Sequence, residues 1–424
     1  MPKKLTRKSV APMLLFLVIF LFVISLLIWL SRSGKERTKV KLHSVNVEAA
    51  SKTELIQDWK KFLNTSNGRE KNGVFEQLTP GGLKISYSID PSLQAYTDSL
   101  FKLYNIPYAA AFMYSLKDGR VLIFRGRSEK DPRLTDMELI LKPWAPAASV
   151  FKVVSASAFI ASGKMDLNET ICYHGGSHRL TPKLLIENPQ KDKECTDLSL
   201  ALAKSANVVF ARLGNRLLTR KALLYHGSLW GFNSMLDFEL PVEKSTLSIL
   251  ARDQNSVAFT SAGFGKVTLS PFHAAWIMSV VANGGVGKKP FLVETVTDEN
   301  GKKIYSRKKG TLIPSRVIDE SEAKTLATML RKTVTAGTAR TAFYKDDEPR
   351  YGFTCSGKTG TLARTEPEYL EYNWFAGYAP SDNPEVAFAI GIINPAKWRT
   401  KSIYLAAMIL KKYFEKYSRK DNGK

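Results

Sequence analysis

Pro146-Ala147-Ala148-Ser149-Val150-Phe151-Lys152-Val153-Val154-Ser155-Ala156-Ser157-Ala158-Phe159-Ile160 is an almost wholly apolar run carrying one charge. Apolar on every side, it predicts a buried helix. Lys152 follows Ser149 at i+3, so the two side chains share a helical face. A lysine buried without a partner loses its proton, which is the state a general base requires. At the first turn, the Ser149 hydroxyl also lies near backbone N–H groups that a helix start leaves unpaired. The bland alternative is a helix cap beside a lysine that snorkels to solvent.

Two further motifs follow in order: Ser205-Ala206-Asn207, then Lys358-Thr359-Gly360-Thr361. At ordinary residue frequencies S-x-x-K arises about twice in a chain of this length and S-x-N about once, whereas K-T-G arises roughly one time in seven. Decoys are indeed present. Ser99-Leu100-Phe101-Lys102 and Ser306-Arg307-Lys308-Lys309 match the first motif, and Ser44-Val45-Asn46 and Ser381-Asp382-Asn383 the second. Context separates them. Ser99 and Lys102 fall in a mixed polar helix, Lys309 in a basic cluster, and Ser381-Asp382-Asn383-Pro384 is a turn sequence placed after K-T-G. Ser205-Ala206-Asn207 instead forms a polar break between apolar helical segments, where a hydroxyl and an amide can project into a cleft; an ordinary helix cap is the plainer reading. Taken together, the three motifs point to a serine nucleophile whose base is a lysine. Gly352-Phe353-Thr354-Cys355-Ser356-Gly357-Lys358-Thr359 also matches a phosphate-binding loop. That loop needs a helix directly after it, and Gly360 to Pro367 is a poor helix start.

With these motifs on the page, the chain from Ile85 to Tyr417 resembles the penicillin-binding transpeptidase domain of bacterial cell-wall synthesis. Tyr87-Ser88-Ile89-Asp90-Pro91-Ser92-Leu93-Gln94 is similar to the family's entry segment. Ser261-Ala262-Gly263-Phe264-Gly265-Lys266-Val267-Thr268-Leu269-Ser270-Pro271 is similar to its Gly-x-Gly segment, with Phe264 where many relatives have Gln. Asn373-Trp374-Phe375-Ala376-Gly377-Tyr378 resembles the strand after K-T-G. The 56-residue gap from Ser149 to Ser205 and the 151-residue gap from Asn207 to Lys358 also suit the family.

The resemblance implies Ser149 as the nucleophile, acylated by a D-Ala-D-Ala stem peptide or a β-lactam, and Lys152 as the group that takes its proton. It implies Ser205 as a shuttle toward the leaving amine near Lys358, and Asn207 as a hold on the substrate amide. Thr359 and Thr361 would bind the substrate carboxylate beside Lys358, with Gly360 between them in the binding strand. The backbone N–H groups of Ser149 and Thr361 would form the oxyanion hole. No cofactor or metal is expected. The rival readings are a D,D-carboxypeptidase or β-lactamase that uses water as acceptor, and a β-lactam sensor or inert scaffold. An E-x-x-L-N string, which supplies the deacylating Glu of class A β-lactamases, does not occur.

The layout predicts an α+β domain over 85–418: about five mainly antiparallel strands flanked by helices, plus an all-helical lobe. Ala109–Ser115 and Arg120–Phe124 read as a hairpin about Lys117-Asp118-Gly119. Phe353–Leu362 reads as a third strand, Trp374–Tyr378 and Val386–Ile393 as a second hairpin, and Ile403–Tyr417 as a closing helix. Upstream, Ser9 to Ser31 is 23 residues without a charge, enough to span a bilayer. One transmembrane helix over 11–31 is expected, after a cytoplasmic tail of residues 1–10. Residues 32–84 then form a linker or reduced pedestal, and 419–424 a disordered tail. Basic residues flank both ends of the span, so charge alone leaves its orientation undecided. The resemblance places the catalytic domain on the extracytoplasmic side of the cell inner membrane. Residues 32–84 are too short for a glycosyltransferase unit, so the resemblance implies a separate glycosyltransferase as partner.

A net charge of +23 invites a nucleic-acid reading, but the basic residues are spread along the chain rather than interleaved with aromatics on one patch. Anionic lipid or wall polymer fits an outward-facing domain better, and general surface basicity fits equally well. Cys172 and Cys195 leave three readings: a disulfide, two thiols, or a zinc set with His174 and His178. Cys355 reads as a small filler on the K-T-G strand.

Overall fold

The computed structural model describes residues 59–176, 178–250, 253–307, 315–397 and 399–421. The expected tail, anchor and most of the linker (1–58) lie outside the described residues. The chain begins with two short 3-10 turns, Trp59–Phe62 and Thr65–Asn67, followed by strands β1 (Arg69–Lys71), β2 (Val74–Leu78) and β3 (Lys84–Tyr87). Helix α1 (Pro91–Leu103) leads to the hairpin β4 (Tyr108–Ser115) and β5 (Val121–Ser128), then to α2 (Asp136–Leu141). A 3-10 turn at Ala148–Val150 runs into α3 (Lys152–Ala161). The hairpin β6 (Ile171–Tyr173) and β7 (Glu194–Thr196) precedes α4 (Leu198–Ala203), α5 (Asn207–Leu217), α6 (Arg220–Leu229), α7 (Gln254–Ser261) and α8 (Pro271–Ala282). Strands β8 (Val293–Thr297) and β9 (Lys303–Ser306) precede α9 (Glu320–Thr335). The chain closes with β10 (Ser356–Arg364), β11 (Leu370–Ala379), β12 (Val386–Asn394) and α10 (Ser402–Asp421).

The main sheet has the order β10-β11-β12-β4-β5, antiparallel throughout. The five expected strands are these five. Strand β12 sits at the centre, and all nine of its residues are buried. Its sequence Val-Ala-Phe-Ala-Ile-Gly-Ile-Ile-Asn is correspondingly apolar on both faces, as a strand covered from both sides must be. Alternation sorts the faces. Ala387 and Ala389 join the core shared with the helical lobe, whereas Phe388, Ile390 and Ile392 join the core under α1 and α10. Helix α8 packs on the lobe side and is buried nearly all round, so its sequence shows no polar stripe. Each fully buried Leu, Ile or Phe contributes roughly 1.5–3 kcal/mol.

A second sheet, β1-β2-β3-β8-β9, pairs Lys84–Tyr87 with Val293–Thr297. The segment just upstream of residue 85 is thereby stitched to the middle of the chain, a long-range pairing that local sequence does not announce. The phosphate-binding-loop reading falls here. After Lys358-Thr359 the chain continues as strand β10, paired residue by residue with β11, instead of starting a helix. The two cysteines are bonded to each other, Cys172 to Cys195 across the β6–β7 hairpin. Neither sulfur is therefore left as a thiolate ligand, and among the described residues no cluster of metal-ligating side chains occurs.

Candidate active site

The Ala148–Val150 turn and α3 set Ser149 and Lys152 on one face, as the i+3 spacing predicts. Lys152 Nζ lies 2.8 Å from Ser149 Oγ. It also lies 2.7 Å from Asn207 Oδ1 and 2.5 Å from the Ala262 carbonyl oxygen. Lys152 is fully buried. Burial, and secondarily the charge of nearby Lys358, hold its pKa well below that of a free lysine. A neutral amine has two N–H donors and one lone pair. Asn207 Oδ1 and Ala262 O take the two donors, which leaves the lone pair for the Ser149 hydroxyl. Asn207 cannot turn over, because its Nδ2 donates to the His178 carbonyl at 2.6 Å.

Backbone strain sits on both sides of this centre. Ala148 has φ +47 and Ser205 has φ +59, a left-handed conformation that non-glycine residues seldom adopt. Gly263 abuts the first of them. A Cβ there would lie 2.3 Å from Ala148 O and 3.2 Å from Ser149 N. The lack of a side chain at 263 thus lets the α7–α8 connection press against the serine turn and deliver the neighbouring Ala262 carbonyl to Lys152. Gly360 does the same from the sheet. A Cβ there would meet Val150 Cγ2 at 3.2 Å and Trp374 Cβ at 3.3 Å. Trp374 Nε1 donates to Pro146 O at 3.0 Å, tying β11 to the residues before Ser149.

Among the described residues, strand β10 pairs with β11 alone and so forms the edge of the sheet. Lys358 on it is fully buried, and burial lowers its pKa to about 7. Its Nζ donates to Thr359 O at 3.0 Å. The Thr359 hydroxyl is 2.6 Å from that of Thr338, and Thr361 Oγ1 accepts from Asn373 Nδ2 at 3.2 Å. Asn373 is fixed in turn by Ser402, whose N–H and hydroxyl donate to its Oδ1 at 2.9 and 2.7 Å. Ser149, Ser205, Asn207, Thr359 and Thr361 all line one cleft of about 590 Å³. Among the described residues, no hydrogen bond joins the Ser205 hydroxyl to Lys152 or Lys358. Phe264 also lines the cleft.

Sequence reasoning missed the Ala262 and His178 carbonyls, Thr338, and the cleft residues Glu371 and Lys401. The glycine beside Ala262 was the only local signal for any of them. The decoy Ser99 lies on α1, where its hydroxyl donates to Tyr96 O at 2.7 Å on an exposed surface.

The loop carrying His178 is braced from below. The buried Arg212 guanidinium donates to Leu184 O at 2.8 Å, Cys172 O at 2.9 Å and Ile186 O at 3.0 Å. It also grips both Asp192 oxygens, at 2.9 and 3.1 Å. Its hydrogen bonds hold the Asp192 carboxyl well below the usual carboxylate range. His174 Nδ1 is held by the same Asp192. Removing Arg212 strips Asp192 of its buried cationic partner and takes a donor from three carbonyls. Arg212→Ala should therefore lose on the order of 3 kcal/mol in urea unfolding. A loss below about 1 kcal/mol would show that the brace is dispensable.

A serine hydrogen-bonded to a buried lysine, an amine fixed by Asn207 and a lysine–threonine edge strand thus meet at one centre. The penicillin-binding protein transpeptidase domain family matches residues 109–415, and the chain belongs to it. Peptidoglycan D,D-transpeptidase PbpA of Mycobacterium tuberculosis (strain ATCC 25618 / H37Rv) is 29% identical over 365 residues, covering 78% of this chain and 71% of that protein. Stage V sporulation protein D of Bacillus subtilis (strain 168) is 24% identical over 356 residues, covering 79% of this chain and 54% of that protein. The chain thus spans about half the length of the sporulation protein. Among solved structures, the imipenem acyl-enzyme complex of penicillin-binding protein A from M. tuberculosis superposes with a TM-score of 0.62 at 21% identity, over 78% of this chain and 79% of that one. The D,D-transpeptidase domain of a peptidoglycan glycosyltransferase from Eggerthella lenta gives 0.64 at 19% identity, over 83% and 91%. At these identities the structural likeness is one of fold.

Proposed function

We propose that this protein is a peptidoglycan D,D-transpeptidase that crosslinks stem peptides through an acyl-Ser149 intermediate and is inhibited by β-lactams. The observation that carries the reading is the Lys152 amine, buried and fixed by two acceptors with its third position on Ser149 Oγ. Ser149 Oγ attacks the carbonyl of the penultimate D-Ala, and its proton passes to Lys152. The bond to the terminal D-Ala nitrogen then breaks, with Ser205 relaying a proton to that nitrogen. A stem-peptide amine enters where the first amine left and attacks the ester. Its proton returns along the same path and Ser149 is released. The Ser149 and Thr361 N–H groups stabilise the oxyanion, a contribution of about 100-fold or more in rate per donor. Asn207 holds the substrate amide. Thr359, Gly360 and Thr361 line the strand that receives the substrate carboxylate, beside the Lys358 charge. We also place the uncharged segment 11–31 in the cell inner membrane, with residues 85–418 on the extracytoplasmic side, and assign glycan polymerisation to a separate glycosyltransferase.

The test of the reaction is the product. Incubated with a D-Ala-D-Ala peptide and a stem-peptide amine, the purified chain should form the crosslinked amide faster than the hydrolysed acid. Hydrolysis alone would favour the carboxypeptidase or β-lactamase reading, and stable acylation without turnover would favour the sensor. Lys358 adds a pH signature. With its pKa lowered to about 7, it is charged below that pH and neutral above it. The preference for a terminal carboxylate over the corresponding carboxamide should therefore shrink as pH rises from about 6 to about 9. A KM ratio that stays flat across that range would remove Lys358 as the source of charge.

A further inference from the structure

The active-site cleft contains a carboxylate that the proposed chemistry does not use. Glu371 on β11 lies opposite Ala363 of β10 and two residues from Asn373. Residues at i and i+2 of a strand face the same way and lie about 7 Å apart. Glu371 is therefore one step along the strand from the amide that holds the Thr361 hydroxyl. It is the single acidic side chain among the described residues lining the cleft. Its Oε1 is buried, and among the described residues no hydrogen bond reaches it.

Six buried side-chain polar atoms among the described residues lack a partner, and two of them are carboxylate oxygens. Asp90 is paired with Lys416, Asp192 with Arg212, and Asp136 accepts from Gly126 N. Glu239 also has one unmatched buried oxygen, but its other oxygen accepts from Leu292 N at 2.9 Å. A buried acceptor without a donor costs about 1–3 kcal/mol, and a donor entering the cleft that Glu371 lines can supply what is missing. In a chain of net charge +23, the one acidic side chain among the described residues lining the cleft favours a cation on the substrate.

We propose that Glu371 is a substrate-binding residue that receives an alkylammonium group of a stem peptide. This rests on the transpeptidase reading above. Every acceptor in that reaction is a primary amine, protonated in water. By microscopic reversibility it enters on the side from which the terminal D-Ala departs, which is the Thr359–Thr361 side. A diamino residue in the donor peptide carries the same group, so the ammonium has two sources.

The experiment compares wild type with Glu371→Gln, which keeps the shape and removes the charge. Three readouts are taken: the acylation rate with benzylpenicillin, the KM of a lysine-containing D-Ala-D-Ala donor against its Nε-acetyl form, and the KM of an amine acceptor at fixed donor. Penicillin acylation should stay within about twofold, since penicillin carries no ammonium. The KM for the ammonium-bearing partner should rise about tenfold, the loss expected for a hydrogen bond to a charged group. A rise confined to the donor arm, and absent from its acetylated form, assigns the site to the donor side chain; a rise confined to the acceptor arm assigns it to the incoming amine. Unchanged KM in both arms, or equal changes for acetylated and free peptides, would overturn the proposal while penicillin acylation remained intact. Failure of the wild type to react with penicillin at all would overturn the transpeptidase reading and this one with it.

Discussion

Ser149→Ala should abolish labelling by a fluorescent penicillin, whereas Ser99→Ala should label like wild type. The two serines share the S-x-x-K pattern and differ in everything the fold adds. Lys152 is fully buried with its amine 2.8 Å from Ser149 Oγ. Lys102 is a surface residue paired with Asp98 at 2.7 Å, and the Ser99 hydroxyl is spent on Tyr96 O. Loss of the nucleophile removes the covalent step, so the expected effect is complete loss of label rather than a slower rate. Alanine is a small change in a turn already shaped by Ala147 and Ala148, and the melting temperature of the variant should match wild type. Persistent labelling of Ser149→Ala at the wild-type rate would mean that another nucleophile carries the acyl group. Decay of the label in wild type then reports deacylation. Slow decay fits a transpeptidase, and rapid turnover fits a β-lactamase.

Asn207→Asp should slow acylation by about 100-fold or more at neutral pH, the usual worth of a general base. The substitution is nearly isosteric, so its effect is electrostatic. A carboxylate 2.7 Å from Lys152 Nζ would favour the ammonium form and raise the lysine pKa. An ammonium has no lone pair for the Ser149 proton. The aspartate would also turn an oxygen toward His178 O, where Asn207 Nδ2 now donates at 2.6 Å. The sign fixes the pH dependence. Because the base would be locked protonated, activity of the variant should climb with pH through a range where wild type is already flat. A stopped-flow series with the fluorescent penicillin measures this. Wild-type rates at every pH would show that Asn207 does not control the state of Lys152.

Legibility in the sequence followed the range of the interaction. The Ser149–Lys152 pair lies within one helical turn, and its spacing alone puts both on one face. The strands around Lys117-Asp118-Gly119 and Ser381-Asp382-Asn383-Pro384 were legible because alternation and turn residues are local signals. Residues 69–87 were harder. The last of their strands, β3, is held by pairing with Val293–Thr297, some two hundred residues away. Cys172 and Cys195 left disulfide, thiol and zinc open, because spacing does not say whether two sulfurs meet. The β6–β7 register, which sets them opposite each other, decides it.

By itself, the sequence determined the order of the chemistry: a serine, its lysine, a Ser-x-Asn break and a lysine–threonine strand, each readable from side-chain type and local period. Tertiary structure alone decided what surrounds that lysine. The Ala262 and His178 carbonyls belong to the backbone, which every residue shares, so no residue type marks them. The orphaned Glu371 oxygen is likewise visible only once β11 is set beside the edge strand. Contacts between residues far apart in the chain depend on where packing puts them, and packing follows from the sum of buried surfaces rather than from any local motif.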